Sequence, residues 1–287
     1  IKSRLVPRLS DTAKILYTLY LGLTVAETIA LRIAGMPWFD AITHAFTTLS
    51  TGGFSIKNAS IAAYNSPAIE WIIIVFTVLA SINFSLMFLA IRGQIRTVLK
   101  NEELRTFLLI TVLAVAAVCA NLMMQMGLPF SQAVRDAAFQ VTTISSTTGY
   151  ATRDFALWPT FSQAILVLLM LMGGCAGSTA GGTKVSRILL QLKCLKRELN
   201  RIVHPNRVSV ITMDEQPVKE EAVTSALVFQ VAYLLVLIVG ALVVALDGMG
   251  ITESLSASLA CISNIGPALG ELGPTSNFAG LNYLSKL

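Results

Sequence analysis

The sequence predicts an all-α polytopic membrane protein, and three observations carry that prediction. Apolar residues make up 54% of the 287 positions and charged residues only 13%, against roughly 25% charged in soluble domains; mean hydropathy is +0.70. Apolar runs of helical length recur along the chain, and about 20 helical residues suffice to cross a hydrocarbon core. Sixteen of the 21 Lys and Arg gather in three short stretches between those runs. A net charge of +5 arranged this way is topological and calls for no nucleic-acid partner. By the positive-inside rule, the stretches Lys2–Lys14, Arg92–Arg105 and Lys184–Lys219 are cytoplasmic.

Continuous apolar runs at Ile15–Ala34, Ile69–Ile91, Phe107–Met126, Phe161–Met172 and Ala222–Leu246 are helix-length rather than strand-length. Between them, Trp38–Leu49, Phe130–Ile144 and Ile251–Ile262 are too short to span and read as core or re-entrant helices. The order of long helix, short helix, small-residue turn and long helix repeats along the chain. The short segments end in Leu49-Ser50-Thr51-Gly52-Gly53-Phe54, Ser145-Ser146-Thr147-Thr148-Gly149-Tyr150 and Ile262-Ser263-Asn264-Ile265-Gly266-Pro267. Counted back from the glycine, Leu49 and Ile262 stand four residues away and Ile144 five. That offset predicts one extra residue in the second short helix or its turn. The third unit meets Leu287 before a second long helix, and the chain starts at Ile1 without a signal peptide, so a piece of a longer protein is expected.

With the basic stretches inside, the three turns face the opposite side, where Arg32, Lys57, Arg135 and Arg153 are the main basic residues. Non-helical backbone at membrane depth is tolerated only inside protein or beside a water-filled path. A short helix whose C-terminal end points inward brings about half a negative charge to that path, and the carbonyls of a following Gly-bearing turn complete a potassium-type filter. One such turn would read as a simple helix end. Three in one frame predict a pore.

These residues resemble the Trk/Ktr/HKT superfamily of potassium transporters, and within it the bacterial Trk-type membrane subunit. The resemblance covers essentially the whole chain and rests on Ser50–Ser55, Thr147–Thr152, Gly173–Lys184 and Ser263–Ala268. It implies four units around a pseudo-fourfold pore with one filter glycine each, here Gly53, Gly149 and Gly266. Residues 1–100, 101–203 and 204–287 then correspond to the second, third and a truncated fourth unit, with the first unit and the last helix outside the chain. The implied filter comprises Thr51, Gly52 and Gly53, Thr147, Thr148 and Gly149, and Asn264, Ile265 and Gly266. Backbone carbonyls of Thr51, Gly52, Thr147, Thr148, Asn264 and Ile265 would hold K⁺, the transported ion. Three units do not close a fourfold pore, so this chain by itself is not expected to conduct. The resemblance also implies a homodimer in the lipid of a bacterial inner membrane and a cytosolic nucleotide-binding regulatory subunit. Some relatives replace a filter glycine by serine and pass Na⁺. All three visible positions are glycine, but the missing first filter leaves Na⁺ permeation open. A nonconducting membrane scaffold is the alternative from another class, and channel versus ion-coupled transport stays undecided.

Gly173–Lys184 interrupts what would otherwise be one helix from Thr160 to Arg201, and its five glycines predict a break there, each costing about 1 kcal/mol of helix propensity relative to Ala. In the resembled family this break is a gate below the filter, which assigns Gly173, Gly174, Gly177, Ser178, Gly181, Gly182 and Lys184 to it. Close helix packing by small residues is the competing reading. The segment only approximates a phosphate-binding loop, because Thr183 precedes Lys184 and Val185 follows it, where the loop needs Lys followed by Ser or Thr. Ser178 lacks the G-x-S-x-G setting of a nucleophile, and His44 and His204 are the only histidines, so no enzyme is expected. Cys119, Cys175, Cys194 and Cys261 read as small buried residues. Glu27 calls for a partner within its apolar run, with Arg32 the nearest candidate. Asn83, Asn121 and Gln230 read as interhelical hydrogen-bonding groups, and the sequon Asn58-Ala59-Ser60 carries little weight.

Overall fold

The computed structural model describes residues 9–204 and 209–286; Lys2, Arg4, Arg8 and Arg207 of the basic stretches lie outside them. Helix α1 (Leu9–Ile33) pairs with the short α2 (Trp38–Leu49), which Pro37 starts in an extended conformation. Helix α6 (Glu102–Met126) ends on Gly127 in the left-handed region and pairs with short α7 (Phe130–Ser145). Helix α10 (Glu220–Ala245) pairs likewise with short α11 (Ile251–Ile262). Three times a long apolar helix hands over to a short one that packs back on it.

Between these pairs run α3 (Pro67–Ser81), α4 (Phe84–Ile91) and α5 (Ile95–Lys100), and then α8 (Thr160–Met172) and α9 (Val185–Val203). A terminal turn of helix, α12 (Tyr283–Lys286), closes the described chain. Among the described residues, α1 from Ala13, α6 and α10 are each long and apolar enough to cross a membrane. Their outward faces are apolar as well, with Leu109, Val112 and Leu113 on α6 and Val231, Leu235 and Val239 on α10 exposed, as lipid rather than water requires. The main core lies between α6, α7 and α8, around Phe107, Val118, Leu122, Val141, Ile144 and Leu166.

The apolar run Ile69–Ile91 is not one helix. It bends by 102° between α3 and α4, because Asn83 acts there as a cap, its Oδ1 accepting the Ser85 N–H at 2.8 Å. Backbone groups freed by the bend bond to the Gly-rich segment: Cys175 N–H donates to the Ser81 carbonyl at 3.0 Å and Phe84 N–H to that of Gly177 at 3.1 Å. Asn83 is therefore a cap rather than the interhelical bridge expected of it. Asn121 does bridge, accepting from Ser162 Oγ at 2.7 Å across α6 and α8. Gln230 accepts from Gln191 Nε2 at 3.3 Å across α10 and α9.

Glu27 is fully buried, and neither carboxyl oxygen has a hydrogen-bond partner among the described residues. The expected Arg32 pair is absent: Arg32 donates to the Met36 carbonyl at 3.3 Å and sits 5.6 Å over the Trp38 ring. Five residues along a helix turn a side chain away from its neighbour, whereas three or four bring it alongside. All four cysteines are free thiols, and Cys119, Cys175 and Cys194 are buried as expected. Cys261 is exposed instead, opening on a groove between α10 and α11 beside Val236 and Leu281.

Helix α9 runs back along α10. Arg187 lies 4.1 Å over the Phe229 ring, Gln191 Nε2 reaches the Ala226 carbonyl at 3.2 Å, and Arg197 pairs with Glu220. A two-stranded antiparallel hairpin that the apolar pattern does not announce, β1 (Thr212–Met213) with β2 (Gln216–Pro217), follows α9. Its turn residues Asp214 and Glu215 both have positive φ, at 50° and 63°, as a tight hairpin turn of the primed type requires.

Candidate ion path and Gly-rich segment

The three short helices end alike. Ser50, Ser146 and Ser263 cap α2, α7 and α11 and donate their N–H groups to the carbonyls of Phe46, Thr142 and Leu259. The next residue in each turn, Thr51, Thr147 or Asn264, enters the left-handed region with φ of 53°, 61° and 59°. Its N–H donates to Thr48, Ile144 or Cys261 at 2.9 to 3.0 Å, and the N–H after it donates to Thr47, Thr143 or Ala260 at 2.8 Å. These paired bonds are the helix-terminating motif that usually places glycine at the left-handed position. Threonine there costs about 1–2 kcal/mol, strain of the kind that gathers at functional sites.

This register corrects the extra residue expected in the second unit. Helix α7 runs to Ser145, one residue beyond the last apolar side chain Ile144, so Leu49, Ser145 and Ile262 all stand four residues before their glycines. Hydrogen bonds rather than apolarity mark the helix end. The turns are in register.

They also meet one another. A side chain on Gly53 would overlap the Thr148 carbonyl oxygen, and one on Gly149 would overlap that of Ile265. In each contact a glycine faces the carbonyl that precedes the next unit's glycine. Gly53 and Gly149 have φ of 64° and 84°, so conformation and space both demand glycine there. Gly266 has φ of 100° and open space beside it. The structure thus brings Thr51–Gly53, Thr147–Gly149 and Asn264–Gly266 into one arc, beneath which three helix C-termini converge.

Buried hydroxyls support the arc. Tyr150 Oη lies 2.5 Å from Thr47 Oγ1, accepts from Thr48 Oγ1 at 3.3 Å and donates to the His44 carbonyl at 3.1 Å, joining the first and second units. Ser263 Oγ donates to the Met170 carbonyl at 2.8 Å and lies 2.6 Å from Tyr233 Oη, fixing the third. Away from the turns, Lys57 pairs at 3.9 Å with Asp40 in the first turn of α2, and Arg153 at 3.3 Å with Asp136 midway along α7. Tyr64 donates to Asp40 at 2.7 Å, and burial, with that bond second, raises its phenol pKa above the ordinary value. No cluster of three or more His, Cys, Asp or Glu occurs among the described residues. The oxygens available to a hard cation in the arc are carbonyls and hydroxyls.

The Gly-rich segment, residues 173 to 184, lies against this arc and separates α8 from α9 as the sequence predicts. Gly181 N–H donates to Thr147 Oγ1 at 2.6 Å, and a side chain on Gly181 would overlap the Ser263 carbonyl. Gly173 and Gly182 meet at the neck of the segment, where a Cβ on Gly182 would come within 2.9 Å of Gly173 Cα. Ser178 Oγ donates to the Cys175 carbonyl at 2.6 Å, and Val185 N–H to Gly174 at 3.1 Å. Gly177 packs on Asn83, and Lys184, with φ of 73°, turns its ammonium to the Ala180 carbonyl. The sequence gives no pointer to Glu103, whose Oε1 accepts from Ala176 N–H at 2.6 Å and Ser186 N–H at 3.1 Å; it reads as an ordinary acid in the first turn of α6.

Long apolar helices, two interrupted ones and three short helices ending in matched glycine turns define a polytopic helical membrane protein built on re-entrant helices. Residues 2–287 match the family model described as "TrkH: Cation transport protein", and the chain belongs to that family. It is 37% identical over 287 residues to the Trk system potassium uptake protein TrkH of Salmonella typhimurium, covering 99% of this chain and 59% of the relative. It is 35% identical to TrkG of Escherichia coli, again over 99% of this chain, and covers 58% of that relative. The crystal structure of the potassium transporter TrkH from Vibrio parahaemolyticus superposes with a TM-score of 0.86 at 38% identity, over 94% of this chain and 59% of that one. The chain thus spans about three fifths of the length of these relatives.

Proposed function

We propose that the protein of which this chain is part takes up K⁺ across a bacterial inner membrane, the ion passing through a filter of backbone carbonyls from Thr51, Gly52, Thr147, Thr148, Asn264 and Ile265. The observation that carries the reading is the repeated close approach of Gly53 to the Thr148 carbonyl and of Gly149 to the Ile265 carbonyl. It lets carbonyls of successive units gather where no side chain intrudes, and the short-helix dipoles favour a cation there. Residues 1–100, 101–203 and 204–287 are three successive units of that pore. The turns face the outer side, since the basic stretches belong to the cytoplasm. Gly173–Lys184 is the gate below the filter, supported by its contacts with Thr147 and Ser263. A homodimer and a cytosolic nucleotide-binding regulatory subunit complete the system, consistent with relatives named as proteins of a Trk system.

The test is ion selectivity in proteoliposomes carrying the protein at its full encoded length. Gly53→Ser and Gly149→Ser each force a Cβ onto a neighbouring carbonyl. The K⁺ over Na⁺ permeability ratio, read from reversal potentials, should fall about tenfold in each, the effect of roughly 1.4 kcal/mol. Wild-type ratios in both variants would refute the assigned filter.

A further inference from the structure

We propose that Glu103 is the latch that holds the Gly-rich segment closed, and that the hairpin β1–β2 sets this latch through Asp214. The proposal rests on reading the segment as a gate. Glu103 is buried at 7% exposure in the second position of α6. Its Oε1 accepts from Ala176 N–H at 2.6 Å and from Ser186 N–H at 3.1 Å, so one oxygen holds both the segment and the helix that follows it. Ser186 lies in the first turn of α9, whose N-cap residue Lys184 makes no side-chain cap bond. The carboxylate supplies that cap from another helix and meets the positive end of the α9 dipole. Lys184 places a positive charge beside it. Withdrawal of the segment requires Ala176 to leave Glu103 while Ser186 stays anchored, and that makes the bond a latch.

The two residues before Glu103 are held from the cytosolic side. Asp214 Oδ1 accepts from Glu102 N–H at 2.7 Å, and its Oδ2 accepts from Asn101 Nδ2 at 2.7 Å. Lys193 pairs with Glu102 and donates to the Thr212 carbonyl at 2.6 Å. Ile211, Met213 and Val218 pack with Cys194 and Val223 beneath the hairpin, so the hairpin moves with α9 and α10 and not as a free loop. A displacement of the hairpin tip acts on the first turn of α6, and the next residue is the latch. Any cytosolic partner that binds the hairpin differently in the closed and open arrangements shifts the gate by that difference in affinity and no more.

The test uses the full-length protein in proteoliposomes, reading Rb⁺ flux, K⁺ over Na⁺ reversal potential and amide hydrogen exchange. Glu103→Ala should raise flux about tenfold, the effect expected of losing a hydrogen bond to a charged group, with selectivity unchanged. Glu103→Gln, which keeps the shape and an acceptor oxygen, should give a smaller rise and faster exchange at the Ala176 and Ser186 amides. Asp214→Ala should raise flux less than Glu103→Ala, and the double variant should not exceed Glu103→Ala. Wild-type flux in both Glu103 variants, while deletions within Gly177–Ala180 raise it, would overturn the latch and leave the gate. If the deletions also left flux unchanged, the gate reading itself would fall. Additive effects of Asp214→Ala and Glu103→Ala would overturn the link to the hairpin. Should Glu103→Ala not fold, Glu103→Gln and Asp214→Ala decide in the same way.

Discussion

Thr51, Thr147 and Asn264 each hold the left-handed conformation two residues before a glycine, and the positions around them show what single residues disclose. The glycines were legible because Gly53 and Gly149 combine a positive φ with a neighbouring carbonyl that leaves no room for a Cβ. The common register was not, since alignment on the last apolar residue counts Ile144 as an end while the backbone bonds continue through Ser145. Glu27 and Arg32 depart from expectation for the opposite reason: a charge in an apolar run invites a partner, but helical phase decides whether it is reached. Tyr150 carries the most direct residue-scale consequence. Its hydroxyl is fully buried and joins Thr47, Thr48 and the His44 carbonyl. Tyr150→Phe leaves those groups with fewer partners, at a cost of about 1–3 kcal/mol. Thermal unfolding of the detergent-solubilised full-length protein should show a lower Tm, and an unchanged Tm would contradict the network as described.

At the scale of elements, the short helices α2, α7 and α11 fall where the length and spacing of the apolar runs put them, because a run too short to span has few other uses in a membrane. The bend between α3 and α4 escaped that reasoning. Its main signal is Ser81-Ile82-Asn83 within a mostly apolar run, and a lone Asn reads equally well as a cap or as a bridge. What makes it a cap is the Gly-rich segment, nearly a hundred positions away in sequence, which supplies bonds for the freed backbone groups. The hairpin β1–β2 was hidden likewise, being only four residues in two short strands whose turn conformation rests on Asp and Glu rather than glycine. The break between α8 and α9, in contrast, follows directly from five glycines. Short deletions within Gly177–Ala180 leave Gly181 on Thr147 and both helices intact. They should raise ion flux severalfold at constant selectivity. Flux at or below wild type in folded, reconstituted protein would return the segment to a packing role.

For the whole molecule, the three long-and-short helix pairs are bound into one body through α3, which packs on α1, α2 and α7, and through α8, which packs on α6, α7 and α11. Its membrane orientation rests on the basic stretches. Lys57 and Arg153 are exposed beside Asp40 of α2 and Asp136 of α7, whereas Lys100 and Lys196 are exposed near the start of α6 and along α9. Single cysteines replacing Lys57 and Arg153 should therefore react with an impermeant maleimide from outside intact cells. Cysteines replacing Lys100 and Lys196 should react only after permeabilisation, and outside labelling at Lys196 would invert the topology. The central claim, that the three glycine turns form the path of the ion, is tested most directly by anomalous diffraction. Crystals of the full-length protein grown with Tl⁺ in place of K⁺ should show anomalous density on the axis bounded by the carbonyls of Thr51, Gly52, Thr147, Thr148, Asn264 and Ile265. Tl⁺ density confined to other sites, in protein that transports Tl⁺ when reconstituted, would contradict it.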